Sequence, residues 1–139
     1  MSTKENIRIL LVDDYASIRK RLRTLLESVP EFEVVGEAEN GKIAMELTQK
    51  LLPDVVIMDL NMPITDGTEA TRWITSVSSV IKVVAFISSN NDIRKMIEAG
   101  ASDILLKTCK GKEIILAVKS VVKRKELPAE KRLLRGQFL

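Results

Sequence analysis

No histidine occurs anywhere in the 139 residues, and there is one cysteine, Cys109. The first absence removes imidazole acid–base work, a Ser-His-Asp triad, histidine metal sites and phosphohistidine formation on this chain. The second removes an intramolecular disulfide and a zinc knuckle. No apolar stretch approaches the roughly 18–20 residues that a membrane span needs. The opening MSTKEN is too short and polar for a signal peptide, so a soluble, cytoplasmic protein is expected. What remains is an ordinary globular balance, 45% hydrophobic and 29% charged, able to bury a core without metals or cross-links.

The formal net charge of +3 suggests a nucleic-acid or membrane partner until it is located. Residues 119–139 carry seven of the 22 basic residues and two of the 19 acidic ones, leaving 15 basic and 17 acidic in residues 1–118. The basic character therefore belongs to the C-terminal end, and the body is slightly acidic. A solvated helix end explains such a tail without a ligand.

Apolar runs alternate with amphipathic segments along the chain. Strands are predicted at 7–12 (IRILLV), 32–36, 54–59 (DVVIMD), 81–87 (IKVVAFI) and 102–106 (SDILL). Helices are predicted at 16–28, from Gly41 to before Pro53, at 66–75, at 92–99 and at 111–125. Five strands alternating with five helices imply βαβ units, a parallel sheet covered on both faces and a three-layer, doubly wound α/β sandwich. Residues 1–125 read as one domain, with 126–139 a basic tail or linker.

Ligands of an open parallel sheet bind at the carboxyl ends of its strands. Asp13 and Asp14 end the first strand, Asp59 the third, Ser88 and Ser89 the fourth, and Lys107 the fifth. Clustered carboxylates repel one another, and oxygen-only ligands favour a hard cation, Mg²⁺ or Mn²⁺. A lysine there neutralises an incoming phosphoryl group, a serine hydroxyl donates to it, and a strand-end carboxylate can attack phosphorus. Each residue also has a plainer reading. Asp13-Asp14 can cap a helix, Asp59 can open a polar loop, Lys107 can be a snorkelling strand-end lysine, and Ser88–Asn91 can be a capped turn. Cys109 has no reactive setting, and Trp73 reads as a packing residue.

Three motifs, ILLVDD (9–14), PDVVIMDLNMPITDG (53–67) and GASDILLK (100–107), carry a resemblance to the receiver domains of two-component response regulators. The wording most resembles regulators with a LuxR-type DNA-binding output, and residues 5–125 follow the family's alternation. The resemblance implies a flavodoxin-like fold with strand order 2-1-3-4-5. It implies that Asp59 accepts a phosphoryl group from the phosphohistidine of a sensor histidine kinase. It further implies Mg²⁺ held by Asp14 and Asp59, by Asp13 through water and by the Asn61 main-chain carbonyl, with Lys107 paired to the phosphoryl group. Asn61 also resembles positions that tune the lifetime of the acyl phosphate.

Two departures stand out. Counting 22 residues back from Lys107, the family's usual spacing for the switch hydroxyl, gives Ala85; the strand-four end instead selects Ser88, with a fourth connection about three residues shorter than usual. The family's aromatic switch position is Ile104, which cannot signal by a ring rotamer. Thr108 also replaces the proline common after the lysine.

Other readings remain beside the phosphoacceptor. One is an interaction module that keeps the fold and works without phosphorylation. A haloacid-dehalogenase-type phosphatase wants a second acid where Asn61 stands, and a dinucleotide-binding domain wants a G-x-G-x-x-G where Asp13-Asp14 stand. At most slow self-phosphorylation and dephosphorylation is expected rather than metabolic catalysis. DNA contact would need an output domain not in this chain, no membrane contact is expected, and self-association into a homodimer is left open.

Overall fold

The computed structural model describes residues 6–125; the basic tail expected at 126–139 lies outside the described residues. The strands are β1 (Ile7–Val12), β2 (Phe32–Ala38), β3 (Val55–Asp59), β4 (Lys82–Ile87) and β5 (Asp103–Leu106). The helices are α1 (Ala16–Glu27), α2 (Gly41–Leu51), α3 (Gly67–Val77), α4 (Ile93–Ala99) and α5 (Gly111–Lys125). All strand pairs are parallel, in the order β2-β1-β3-β4-β5, which is the flavodoxin-like arrangement.

Successive strand residues point to opposite faces of a sheet, and here each face has its own core. Ile9 and Leu11 of β1, Val55 and Ile57 of β3, and Val84 and Phe86 of β4 pack with Leu22 and Leu26 of α1 and Val118 and Val121 of α5. The alternate residues, Leu10, Val12, Val56, Met58, Val83, Ala85 and Ile87, pack with Ala44 of α2, Ala70 and Ile74 of α3, and Met96 of α4. Burial on both faces is why the central strands read as unbroken apolar runs. Trp73 is partly buried against the second core, as a packing residue.

Most boundaries fall within one residue of the sequence prediction, and three differ by more. β2 continues past Gly36 to Ala38, because its pairing with β1 shifts register between Ile9 and Leu10 and then resumes as Leu11↔Glu37 and Val12↔Ala38. The bulge breaks the two-residue alternation that would have announced the extra strand residues. α3 runs two residues beyond the predicted end. The fourth helical segment opens with a 3₁₀ turn, Asn90–Asp92, capped by Ser89, whose hydroxyl accepts from Asn91 N at 3.2 Å.

Candidate functional site

Strand parity places the site. In β3, Val55, Ile57 and Asp59 share the face turned toward α1 and α5. Asp13 follows Ile9 and Leu11 with the same parity, and Lys107 follows Leu105. Three polar side chains thus enter the carboxyl-end rim on the same side, from β1, β3 and, one strand further across the sheet, β5. Lys107 Nζ lies 3.0 Å from Asp59 Oδ1 and 3.1 Å from Asp13 Oδ2. It also stands 5.9 Å from the centroid of the Phe86 ring. The main chain holds Lys107 in place, its N–H donating to Ile87 O at 2.7 Å.

The capping reading of Asp13-Asp14 fails. The residue at the N-cap of α1 is Tyr15, which makes no side-chain cap bond. Asp13 uses Oδ1 to accept from Tyr15 N at 2.9 Å, a local turn contact that turns Oδ2 toward Lys107. Asp13 and Asp59 are 1% and 2% exposed, so two carboxylates are removed from water beside one ammonium. Burial pushes the Asp59 carboxyl up to about 6; Asp13 and Asp14 push in the same direction, and Lys107 partly opposes them. For Lys107, burial lowers the pKa, but hydrogen bonds to Asp59 and Asp13 outweigh it, and the ammonium is held above its ordinary range.

One oxygen from each of Asp13, Asp14 and Asp59 lies within 4.8 Å of the others. Asp14 Oδ1 and Asp59 Oδ2 are buried and have no hydrogen-bond partner. Three acids therefore face a single ammonium, with two carboxylate oxygens unsatisfied. That shortage of positive charge, with oxygen donors only, fits a hard divalent cation such as Mg²⁺ or Mn²⁺.

Asn61, exposed, lies two residues beyond Asp59 in the β3–α3 loop. The loop is pinned at both ends: Gly67 N donates to Leu60 O at 2.8 Å, and Gly41 N to Thr65 O at 2.8 Å. A Cβ at Gly67 would lie 1.8 Å from Asp59 O, and one at Gly41 2.2 Å from Thr65 O. Both positions therefore require glycine for close backbone approach. The sequence marks Gly41 as the start of a helix and Gly67 as part of the 53–67 motif, but neither as a point of close backbone approach. Between them, Ile64 adopts a left-handed φ of 69° and is 78% exposed.

Ser88 is the first residue past β4, exposed at the rim, with the parity of Val84 and Phe86. Ala85, the position reached by counting back from Lys107, is fully buried inside β4 opposite Met58 and Ile104, on the other face. Ile104 is half-buried on that other face. It lines a groove of about 630 Å³ along β5, together with Ile87, Ile93, Ile97 and Leu106. Thr108 is exposed. Cys109 is half-buried, and burial, then the charge of Glu113, push its thiol up, away from thiolate reactivity.

A feature without a sequence signal lies behind the acids. Arg19 of α1 and Arg23, one turn on, bind opposite oxygens of Glu37 near the end of β2, each at 2.8 Å. Arg19 also donates to the main-chain oxygen of Asp13.

The family described as "Response regulator receiver domain" matches residues 9–119. The transcriptional regulatory protein LiaR of Bacillus subtilis is 42% identical over 119 residues, which cover 84% of this chain and 56% of LiaR. The nitrate/nitrite response regulator protein NarL of Escherichia coli is 35% identical over 120 residues, covering 85% of this chain and 56% of NarL. A LuxR-family two-component response regulator from Aurantimonas superposes with a TM-score of 0.81 at 33% identity, with 86% of each chain covered. The chain spans about half the length of the curated relatives it matches.

Proposed function

From the premise that the chain belongs to the response regulator receiver domain family, we propose that it is a phosphoacceptor switch in which Asp59 takes a phosphoryl group from a histidine kinase. The observation that carries this reading is the buried acid rim: Asp13 and Asp59 both against Lys107, with carboxylate oxygens left unsatisfied. Asp13, Asp14 and Asp59, with the Asn61 carbonyl, would hold Mg²⁺. When bound, the ion supplies the positive charge that lets a phosphoryl group approach three acids.

The remaining work belongs to the chain's own groups. An oxygen of Asp59 forms the new bond to phosphorus as the phosphorus–nitrogen bond to the partner's imidazole breaks, and the imidazole keeps the electron pair. Lys107, released from its contact with Asp59, pairs with a phosphoryl oxygen. Ser88, exposed at the rim just past β4, would donate its hydroxyl to another. These contacts strengthen as charge builds on the phosphoryl oxygens, so positioning and electrostatics carry the transfer. The DNA-binding output of transcriptional relatives would reside in a separate domain of a longer protein.

Incubation with Mg²⁺ and acetyl phosphate, followed by intact-mass measurement, tests the reading. A phosphoryl adduct that disappears in D59N and falls at least about tenfold in K107A is expected. No adduct on the wild-type chain, or an adduct retained by D59N, would overturn it. The fold working purely as an interaction module would then be the better description.

A further inference from the structure

We propose that Arg19 is a positioning residue for the acid rim, and that the Arg19–Glu37 pair sets its Mg²⁺ affinity by fixing the Asp13 main chain. The inference rests on the Mg²⁺ reading above and concerns residues that touch neither the ion nor the phosphoryl group.

Asp13 and Asp14 lie immediately beyond β1, where the sheet no longer holds both sides of the chain. On the β2 side the last ladder contact is Asp13 N donating to Ala38 O at 3.1 Å. The Asp13 carbonyl receives the Arg19 guanidinium instead. That guanidinium is itself held by Glu37, one residue before Ala38. The end of β1 is thus fastened to the end of β2 twice, once through backbone and once through a side-chain bridge. Arg19 is 15% exposed, so its geometry is constrained by packing as well as by charge. Burial of Glu37 opposes its ionisation, but the two guanidiniums outweigh it and hold the carboxyl below the usual range.

Arg23 supplies the comparison within the molecule. It binds Glu37 at the same 2.8 Å and makes a further pair with Glu27; none of its hydrogen bonds among the described residues reaches the acid rim. If the cluster only stabilises the α1–β2 packing, loss of either arginine has the same consequence. If Arg19 positions Asp13 and Asp14, only its loss disturbs the cation site. The sign is also informative. Removing a positive charge near a cation site tightens binding by electrostatics alone, whereas releasing the Asp13 carbonyl weakens it.

The test is Mg²⁺ titration by calorimetry on the full chain as wild type, R19M, R23M and R19K, with circular dichroism to establish folding. R19M is expected to weaken Mg²⁺ binding about tenfold, the scale on which supporting contacts act on metal ligands. R23M should stay within about twofold of wild type, and R19K should fall between R19M and wild type, because one ammonium cannot span both partners as a guanidinium does. Equal losses in R19M and R23M, or tighter binding in R19M, would overturn the proposal. Should R19M fail to fold, R19K decides: binding equal to wild type counts against Arg19, and weaker binding than R23M supports it. If the wild-type chain binds no Mg²⁺, the cation reading fails and this inference fails with it. Normal wild-type binding with an unaffected R19M defeats this inference alone.

Discussion

Asp59 illustrates the tension between stability and function at a single residue. Its carboxyl, pushed up to about 6 by burial and then by Asp13 and Asp14, would titrate near 3.9 in the unfolded chain. Between about pH 4 and 6 the native state therefore holds a proton that the unfolded state has lost, so stability contributed by this group falls as pH rises through that window. At neutral pH the cost is on the order of 3 kcal/mol without a divalent cation. The variant D59N should gain stability over wild type in urea denaturation at pH 7.5, and gain less at pH 4.5, both in EDTA. A gain that is the same at both values would rule out ionisation of Asp59 as its source. Ile64 is a second strained residue, β-branched at a φ of 69°. I64G should stabilise the protein, by about 1 kcal/mol in the same experiment, since the backbone relief exceeds glycine's extra unfolded-state entropy and little apolar burial is lost. A destabilised I64G would mean that the exposed side chain contributes contacts outweighing the strain.

At the scale of elements, the loops rather than the strands decide whether the site assembles. Gly67 begins α3 while its N–H holds Leu60 O, so the chain turns back across the end of β3 with no room for a side chain. G67A should cost more than about 2 kcal/mol, a backbone clash that no rotamer can relieve, and should lower phosphoryl acceptance beyond the loss of folded protein. Full acceptance per folded molecule would show that the loop reaches its working position without that contact. The same contrast explains what was legible in the sequence. β1 was readable to both ends and α5 from its first residue, because one is a continuous apolar run and the other a long amphipathic stripe. Asp13, Asp14, Asp59 and Lys107 were readable because each follows such a run directly. The last two residues of β2 were hidden by the bulge opposite Leu10. The Arg19–Glu37 bridge was hidden because its partners lie 18 residues apart on surfaces that read as merely polar. Nothing in an isoleucine announces the left-handed backbone of Ile64.

For the whole molecule, the described body is one parallel sheet between two cores, with Asp13, Asp14, Asp59 and Lys107 gathered at the carboxyl ends of its strands. No described helix is long and apolar enough to cross a membrane. A ligand that binds only the folded acid rim stabilises everything built around it. At a Mg²⁺ concentration about 100 times its dissociation constant the gain is about 2.7 kcal/mol, which corresponds to roughly 5 °C or more in melting temperature for a domain of this size. Thermal melts with and without Mg²⁺ should differ by that amount for wild type and by much less for D14N. An equal shift in both would mean that the ion acts elsewhere on the surface.

The two-core construction has a mechanical consequence. Asp59 and Lys107 belong to the layer shared with α1 and α5, whereas Ile104 and Leu106 belong to the layer beneath α4. The sheet stands between the two layers like a bulkhead, and the groove reaches round it at the free edge of β5, where Leu105 and Cys109 join Ile104 and Leu106 in its lining. Displacement of β5, the shortest strand and hydrogen-bonded along one edge, is the simplest way to carry movement across the sheet. With an aliphatic residue at 104, we expect any coupling between the acid rim and the α4 groove to run through β5, which carries Ile104 and leads directly into Lys107, so stiffening that strand should weaken the coupling without altering either end.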